Sequence, residues 1–200
     1  MAFDEFDLGM IPAKVGRLSF TGSLGYEIWV RPEYLHALLR LLTEAGSDLG
    51  LRLFGGRALN SLRLEKSWGT WAREYRPLYT PFEANLERFV AIQKHDFIGK
   101  EALIQARDAG ARHRLTTFVV EPIGADVIAD EPIWRDGDVI GWVTSGGYAH
   151  YTGNSVAMGY VFAEVYDASA GYEIEIIGER RPARVINEAL YDPRAEHMRG

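Results

Sequence analysis

Residues 132 to 162 read PIWRDGDVIGWVTSGGYAHYTGNSVAMGYVF, and the fold turns on this stretch. Pro132–Arg135, Val139–Thr144 and Ser155–Phe162 are short runs rich in β-branched and aromatic residues, too short for amphipathic helices. Asp136-Gly137 separates the first two and is the residue pair that a two-residue hairpin turn favours. Working outward, Thr116–Glu121 lies upstream, and Tyr172–Ile177 and Arg181–Ile186 lie downstream with Gly178-Glu179 as a second hairpin turn. Short strands at this spacing predict an antiparallel β-barrel or sandwich over residues 114–188, followed by a tail at 189–200.

Before residue 110 the texture is different. Lys14 to Val30 predicts two strands around the glycine loop Thr21-Gly-Ser-Leu-Gly25, whose glycines supply positive φ. Leu35, Leu38, Leu39, Leu42 and Ala45 recur at helical spacing after Pro32 and before Gly46, so a helix spans about Glu33 to Ala45. Gly55-Gly56 opens a second helix through Ala58, Leu59, Leu62 and Glu65. Trp68 to Thr80 is irregular, Phe89-Val-Ala-Ile92 is strand-like, and a third helix runs from Lys100 to Ala109. The class is α+β: residues 1–110 mix helices with a small sheet, and the polar segment Gly110 to Arg114 leads into the β part. Two strands make a marginal sheet, so this first part has the look of half of a larger unit.

Composition narrows the function. Lys and Arg number 22 against 28 Asp and Glu, a net charge of −6, which is the wrong sign for a nucleic-acid partner. With no cysteine there is no disulfide, thiolate metal site or cysteine nucleophile. Every long apolar stretch is broken by charge, and the start MAFDEFDLGM is acidic where a targeting peptide is basic, so neither a membrane span nor an export signal is expected. His36, His95, His113, His150 and His197 are scattered without metal-ligand spacing, so no metal site is expected. Thr144-Ser145-Gly146-Gly147 lacks the G-x-S-x-G elbow, and no glycine-rich dinucleotide fingerprint occurs.

Three places remain as candidate binding elements. Glu27 follows Tyr26 at the end of the glycine loop, and its carboxylate suits a flat heterocycle with adjacent N–H donors. A tight hairpin with a solvated Glu27 explains the same residues. Arg57 sits in the first turn of the second helix, where backbone donors also favour an anion, although arginines on such helices are commonly solvated. Trp68, Trp71, Arg73, Tyr75 and Arg76 place aromatic walls beside positive charge, which suits a conjugated anionic ligand and equally suits an interface or a plug for the core.

Six motifs in order go further than these local readings. They are Arg17-Leu-Ser-Phe-Thr-Gly-Ser-Leu-Gly-Tyr-Glu-Ile28, Gly55-Gly-Arg-Ala-Leu-Asn-Ser-Leu-Arg-Leu-Glu65, Thr80-Pro-Phe-Glu-Ala84, Asp96-Phe-Ile-Gly-Lys-Glu-Ala-Leu103, Val143-Thr-Ser-Gly146 and Val156-Ala-Met-Gly-Tyr160. In that order the chain resembles the aminomethyltransferase family, the T-protein of the glycine cleavage system. Trp71-Ala-Arg-Glu-Tyr75, Trp142 to Gly147 and Leu190-Tyr-Asp-Pro193 look most like the folate-binding C-terminal portion of dimethylglycine and sarcosine dehydrogenases.

The resemblance implies a tetrahydrofolate site at which reduced folate captures a methylene group from a small amino substrate. Glu27 matches the family glutamate that holds the pterin or substrate, and Arg57 matches the arginine with the same duty. Trp71 stands where many members carry tyrosine, Glu74 stands at a family acidic position, and Tyr26 completes the expected folate contacts. The family's catalytic Asp is expected in an N-terminal half outside this chain, and Asp4, Glu5 and Asp7 do not match its motif. In the dehydrogenases FAD belongs to a separate upstream domain, so a flavoprotein domain or subunit is a further implied partner. The implied compartment is the cytoplasm, or the mitochondrial matrix in a eukaryote. Three readings stay open: part of a folate-dependent enzyme, a non-catalytic folate-binding or flavoprotein-docking module, and a fragment without independent activity.

Overall fold

The computed structural model describes residues 2–122 and 124–199. Its first sheet has three antiparallel strands in the order β1-β2-β3: β1 Phe3–Leu8, β2 Ile11–Gly16 and β3 Glu27–Trp29. The expected two strands are thus joined by a third, which acidic residues hide: Asp4, Glu5 and Asp7 dilute the alternation of Phe3, Phe6 and Leu8. Gly9, at φ 65°, makes the tight return that pairs Leu8 with Ile11. Trp29 packs on Phe3 with ring centroids 5.7 Å apart and covers Gly16, where a Cβ would fall 2.9 Å from the indole.

A 3₁₀ turn at Pro32–Tyr34 leads into α1 Leu35–Gly46, and α2 spans Gly56–Glu65. Helix α1 buries Leu38, while Leu35, Leu39 and Leu42 of the same apolar stripe are exposed. Helix α2 buries Ser61, Arg63, Leu64 and Glu65. The strand expected at Phe89–Ile92 does not form; Glu87–Phe89 is a 3₁₀ turn and the chain continues irregularly. Four residues make a strand only with a ladder partner, and Phe89 instead stays at the surface. Helix α3, Lys100–Ala109, lies between Gly99 and Gly110, both at positive φ.

The second half is a closed antiparallel barrel, order β4-β7-β6-β5-β8-β9, with β4 pairing β9 to complete it. Its strands are β4 His113–Val120, β5 Pro132–Arg135, β6 Asp138–Ala149, β7 Asn154–Phe162, β8 Tyr172–Ile176 and β9 Glu179–Ile186. A short helix, α4 Glu196–Arg199, ends the described chain. Asp136-Gly137 makes the β5–β6 turn with φ of 52° and 93°. The β8–β9 turn is Ile177-Gly178, one residue earlier than expected, with φ of 51° and 76°. Strand β6 runs through Thr144 to Ala149, because Gly146 is a close-packing position rather than a break: a Cβ there would meet Val127 at 2.6 Å.

Strand β7 is buried on both faces, and its alternation divides the core in two. Ala157 and Val161 join Phe118, Val143 and Ile174 inside the barrel. Val156, Met158 and Tyr160 point outward and pack with Leu64 of α2, Leu115 and Ala149. That outer cluster, with Tyr75 and Tyr79 against it, fixes the irregular segment 66–80 on the barrel.

Candidate functional site

A buried polar network sets the shape of the site. Arg63 on α2 donates from Nε and Nη2 to Asn60 Oδ1 at 2.9 and 2.7 Å, and from Nη1 to the Trp68 carbonyl at 3.1 Å. The same Nη1 lies 3.6 Å from Glu74 Oε2, and both side chains are almost wholly buried. Glu74 Oε2 accepts from Thr70 N at 2.7 Å and from Thr70 Oγ1 at 3.2 Å, while Ser145 Oγ of β6 donates to Oε1. Tyr160 donates to the Glu74 carbonyl at 2.7 Å. Burial pulls the Arg63 pKa down and Glu74 opposes it; burial, with Tyr79 and Glu74 beside it, pushes the Tyr160 phenol far up. One ion pair and its hydrogen bonds therefore hold the Trp68–Tyr75 loop rigidly between helix and barrel.

On this support the loop presents Trp68, Gly69, Trp71 and Tyr75 to a cleft of about 750 Å³. The opposite wall is the segment before β3, with Leu18, Phe20, Leu24 and Gly25. Leu86 and Phe89 close one side, and Met198 and Arg199 of the C-terminal segment close another. A second cavity of about 850 Å³ adjoins it through Trp68, Tyr75, Leu86, Arg88, Phe89, Met198 and Arg199. Its lining includes Arg88, Arg114, Arg194 and Arg199 and one acidic residue, Glu188, besides Lys66, whose charge Asp192 meets. In a chain of net charge −6 that is a local excess of positive potential. Among the described residues Arg88, Arg114 and Arg194 form no ion pair.

The residues singled out from sequence fall in three places. Trp71, 73% exposed, lines the cleft; Tyr26 and Glu27 follow Gly25 of the opposite wall as exposed residues at the start of β3 and line neither cavity. Arg57 is exposed in the first turn of α2 and does not line the cleft. Glu74 is fully buried, with its carboxylate committed to Thr70, Ser145 and Arg63, so it reaches the cleft only through the loop it fixes. Sequence reading passed over Leu18, Phe20 and Leu24, whose signal was apolar character in a loop rather than a strand. It also passed over the C-terminal wall, which no local pattern announces. Among the described residues no three His, Asp or Glu gather as a metal-ligand set, and no helix is long and apolar enough to cross a membrane.

Comparison with known proteins extends this geometry to the whole chain. Residues 1–94 match the family model of the GCVT N-terminal domain, and residues 113–192 match that of the glycine cleavage T-protein C-terminal barrel domain. The chain is 38% identical to mouse mitochondrial dimethylglycine dehydrogenase over 187 residues, covering 93% of this chain and 22% of that protein. It is 32% identical to an aminomethyltransferase of Moorella thermoacetica over 177 residues, covering 88% of this chain and 48% of the relative. The crystal structure of the glycine cleavage system aminomethyltransferase T of Bartonella henselae superposes with a TM-score of 0.81 at 25% identity, over 90% of this chain and 50% of that one. The chain thus spans about a fifth of the dehydrogenase and about half of the aminomethyltransferases.

Proposed function

The chain belongs to the aminomethyltransferase family of the glycine cleavage T-protein, and from that premise we propose that it forms part of a tetrahydrofolate site. The reaction proposed there moves a methylene group from an amino substrate to the reduced folate. The observation that carries the reading is the paired cleft: an aromatic, apolar chamber opening directly into one lined by positive side chains. A pterin ring is flat and conjugated, and the folate tail is anionic, so the two chambers suit its two ends. Tetrahydrofolate, when bound, supplies the nitrogens that accept the one-carbon unit.

In this reading Trp71 is an aromatic wall, and Tyr26 and Glu27, exposed just past Gly25 and outside both chambers, meet the heterocycle's N–H donors only where the ligand reaches beyond that wall. Arg57, exposed at the start of α2 and outside both chambers, meets anionic ligand charge only where the ligand extends beyond them. Glu74 serves from beneath by fixing the Trp71 loop. No residue is assigned as catalytic acid or base; Glu5, for one, lies exposed on β1, 3.3 Å from Lys14 Nζ. Because the chain spans about half of the aminomethyltransferases, turnover is proposed to need residues beyond it. The proposed compartment is the mitochondrial matrix in a eukaryote and the cytoplasm otherwise.

A second reading, a folate-binding module that docks on a flavoprotein without chemistry, is favoured by the exposed leucines of α1. Calorimetric titration of tetrahydrofolate into the chain and into E27Q, R57A and W71A tests the binding claim. Glu27 and Arg57 face solvent, so each substitution is expected to weaken binding roughly fivefold to tenfold. Unchanged affinity in all three overturns it. A coupled assay for methylenetetrahydrofolate on the 200-residue chain is expected to find no turnover, and turnover would place the catalytic acid within it.

A further inference from the structure

The C-terminal segment does more than trail from the barrel. From Tyr191 onward it runs back along the end of α2 and lies against the glycine loop. Tyr191 N–H donates to the Glu65 carbonyl at 3.0 Å, and the Tyr191 hydroxyl lies 3.0 Å from Ser23 Oγ. Leu24 N–H donates to the His197 carbonyl at 3.1 Å, and the Arg17 guanidinium donates to the Arg199 carbonyl. The loop is therefore tied to the C-terminal segment at Ser23 and Leu24, and the stretch that leads into it is tied at Arg17.

Beneath the loop lies a buried ion pair. Lys66 Nζ is 3.1 Å from Asp192 Oδ2, both side chains are about 5% exposed, and the ammonium also donates to the Asp192 carbonyl. The ammonium lies 5.6 Å from the Tyr191 ring centroid and 6.0 Å from that of Trp68, a cleft residue. Asp192 in turn accepts from Glu196 N at 2.7 Å, which folds the end of the chain over the pair. Gly22, at φ 86°, rests directly on the Lys66 stem: a Cβ there would lie 2.8 Å from Lys66 Cδ. The positive φ and this contact both require glycine. Residues 193–199 lie beyond the part of the barrel domain that the family model matches, yet Met198 and Arg199 wall both chambers.

We infer that residues 191–199 form a strap that pins the glycine loop onto Lys66 and completes the wall of the cleft, so that the strap sets ligand affinity. The inference rests on the folate reading of the cleft. With the strap released, the loop samples open arrangements, Leu24 and Gly25 leave the cleft wall, and apparent affinity falls in proportion to the fraction of time the loop is in place.

The test uses the 200-residue chain, a version ending at Pro193, and Y191F, which keeps the ring and removes the hydroxyl facing Ser23. Thermal unfolding followed by near-ultraviolet circular dichroism checks that the barrel is intact. Limited chymotrypsin digestion reads the loop itself, through cleavage after Phe20 and Leu24. Truncation is expected to raise cleavage and weaken tetrahydrofolate binding about tenfold each, and Y191F to do so a few-fold. Unchanged cleavage in both variants overturns the strap whatever the ligand does. Faster cleavage with affinity lost in E27Q alone overturns the claim that the strap sets affinity. Faster cleavage with affinity unchanged in the strap variants and in E27Q, R57A and W71A alike supports the strap and overturns the folate reading instead.

Discussion

Arg63 spends its charge entirely inside the protein, and its partner Glu74 has no surface at all. Removing one member of such a pair strands the other, so Glu74→Gln is expected to cost about 3–5 kcal/mol in urea unfolding. The double replacement Arg63→Met with Glu74→Leu is expected to lie nearer the parent, since neither charge is then stranded. Glu83 has a different consequence. Burial pushes its carboxyl up, but donors from Thr80 N and Oγ1, at 2.8 and 3.0 Å, and from His113 outweigh that and hold it below its ordinary pKa. A carboxyl depressed in the folded state adds stability above its unfolded pKa, about 4.3, and loses it as pH falls through the folded value. Urea midpoints are expected to hold from pH 7 to about 5 and fall below about 4, with a flatter profile in Glu83→Gln. At this scale the sequence offers Glu27, Arg57 and Trp71 as candidates for chemistry, and the structure brings Trp71 alone of the three into a cavity wall. Burial of Glu74 was not legible in the sequence, because the partners that consume its carboxylate come from α2 and from β6, far away in the chain.

Elements were legible where their signals were local. Helices α1 and α2 show their periodicity, Gly46 and Gly110 mark the ends of α1 and α3 and Gly55-Gly56 the start of α2, and Asp136-Gly137 names its own turn. Strand β1 was missed because charge masked its alternation, and Phe89–Ile92 was read as a strand because nothing local says that a ladder partner is missing. The docking of α2 is equally invisible in sequence, and one hydroxyl makes two of its hydrogen bonds. Ser61 Oγ donates to the Tyr148 carbonyl at 2.9 Å and accepts from His150 N at 3.0 Å, tying the helix to the end of β6. Ser61→Ala leaves two backbone groups without a partner and is expected to cost about 1–3 kcal/mol by chemical denaturation. At the other end of β6, a Cβ on Gly141 would lie 2.1 Å from the Tyr160 carbonyl. Gly141→Ala is expected to lower the thermal midpoint by several degrees, about 1–3 kcal/mol of destabilisation, unless β6 and β7 part.

For the molecule as a whole, the first sheet and α1 leave Phe3, Phe6, Leu35 and Leu39 at the surface, together with Leu53 and Phe54. Large apolar side chains left exposed in this number favour association. Light scattering at increasing concentration is expected to find oligomers, with binding of a hydrophobic dye, and Leu39→Glu is expected to reduce both; a dye-silent monomer contradicts this. The barrel differs, since every strand there has two partners. Its first and last strands are themselves a hydrogen-bonded pair, with Thr117 opposite Ile186. The chain therefore leaves the barrel about one strand spacing, roughly 4.8 Å, from the strand by which it arrived. Because Ile186 meets β4 four residues, roughly 14 Å, along from His113, a short linker can close the barrel and new termini be opened at one of its hairpins.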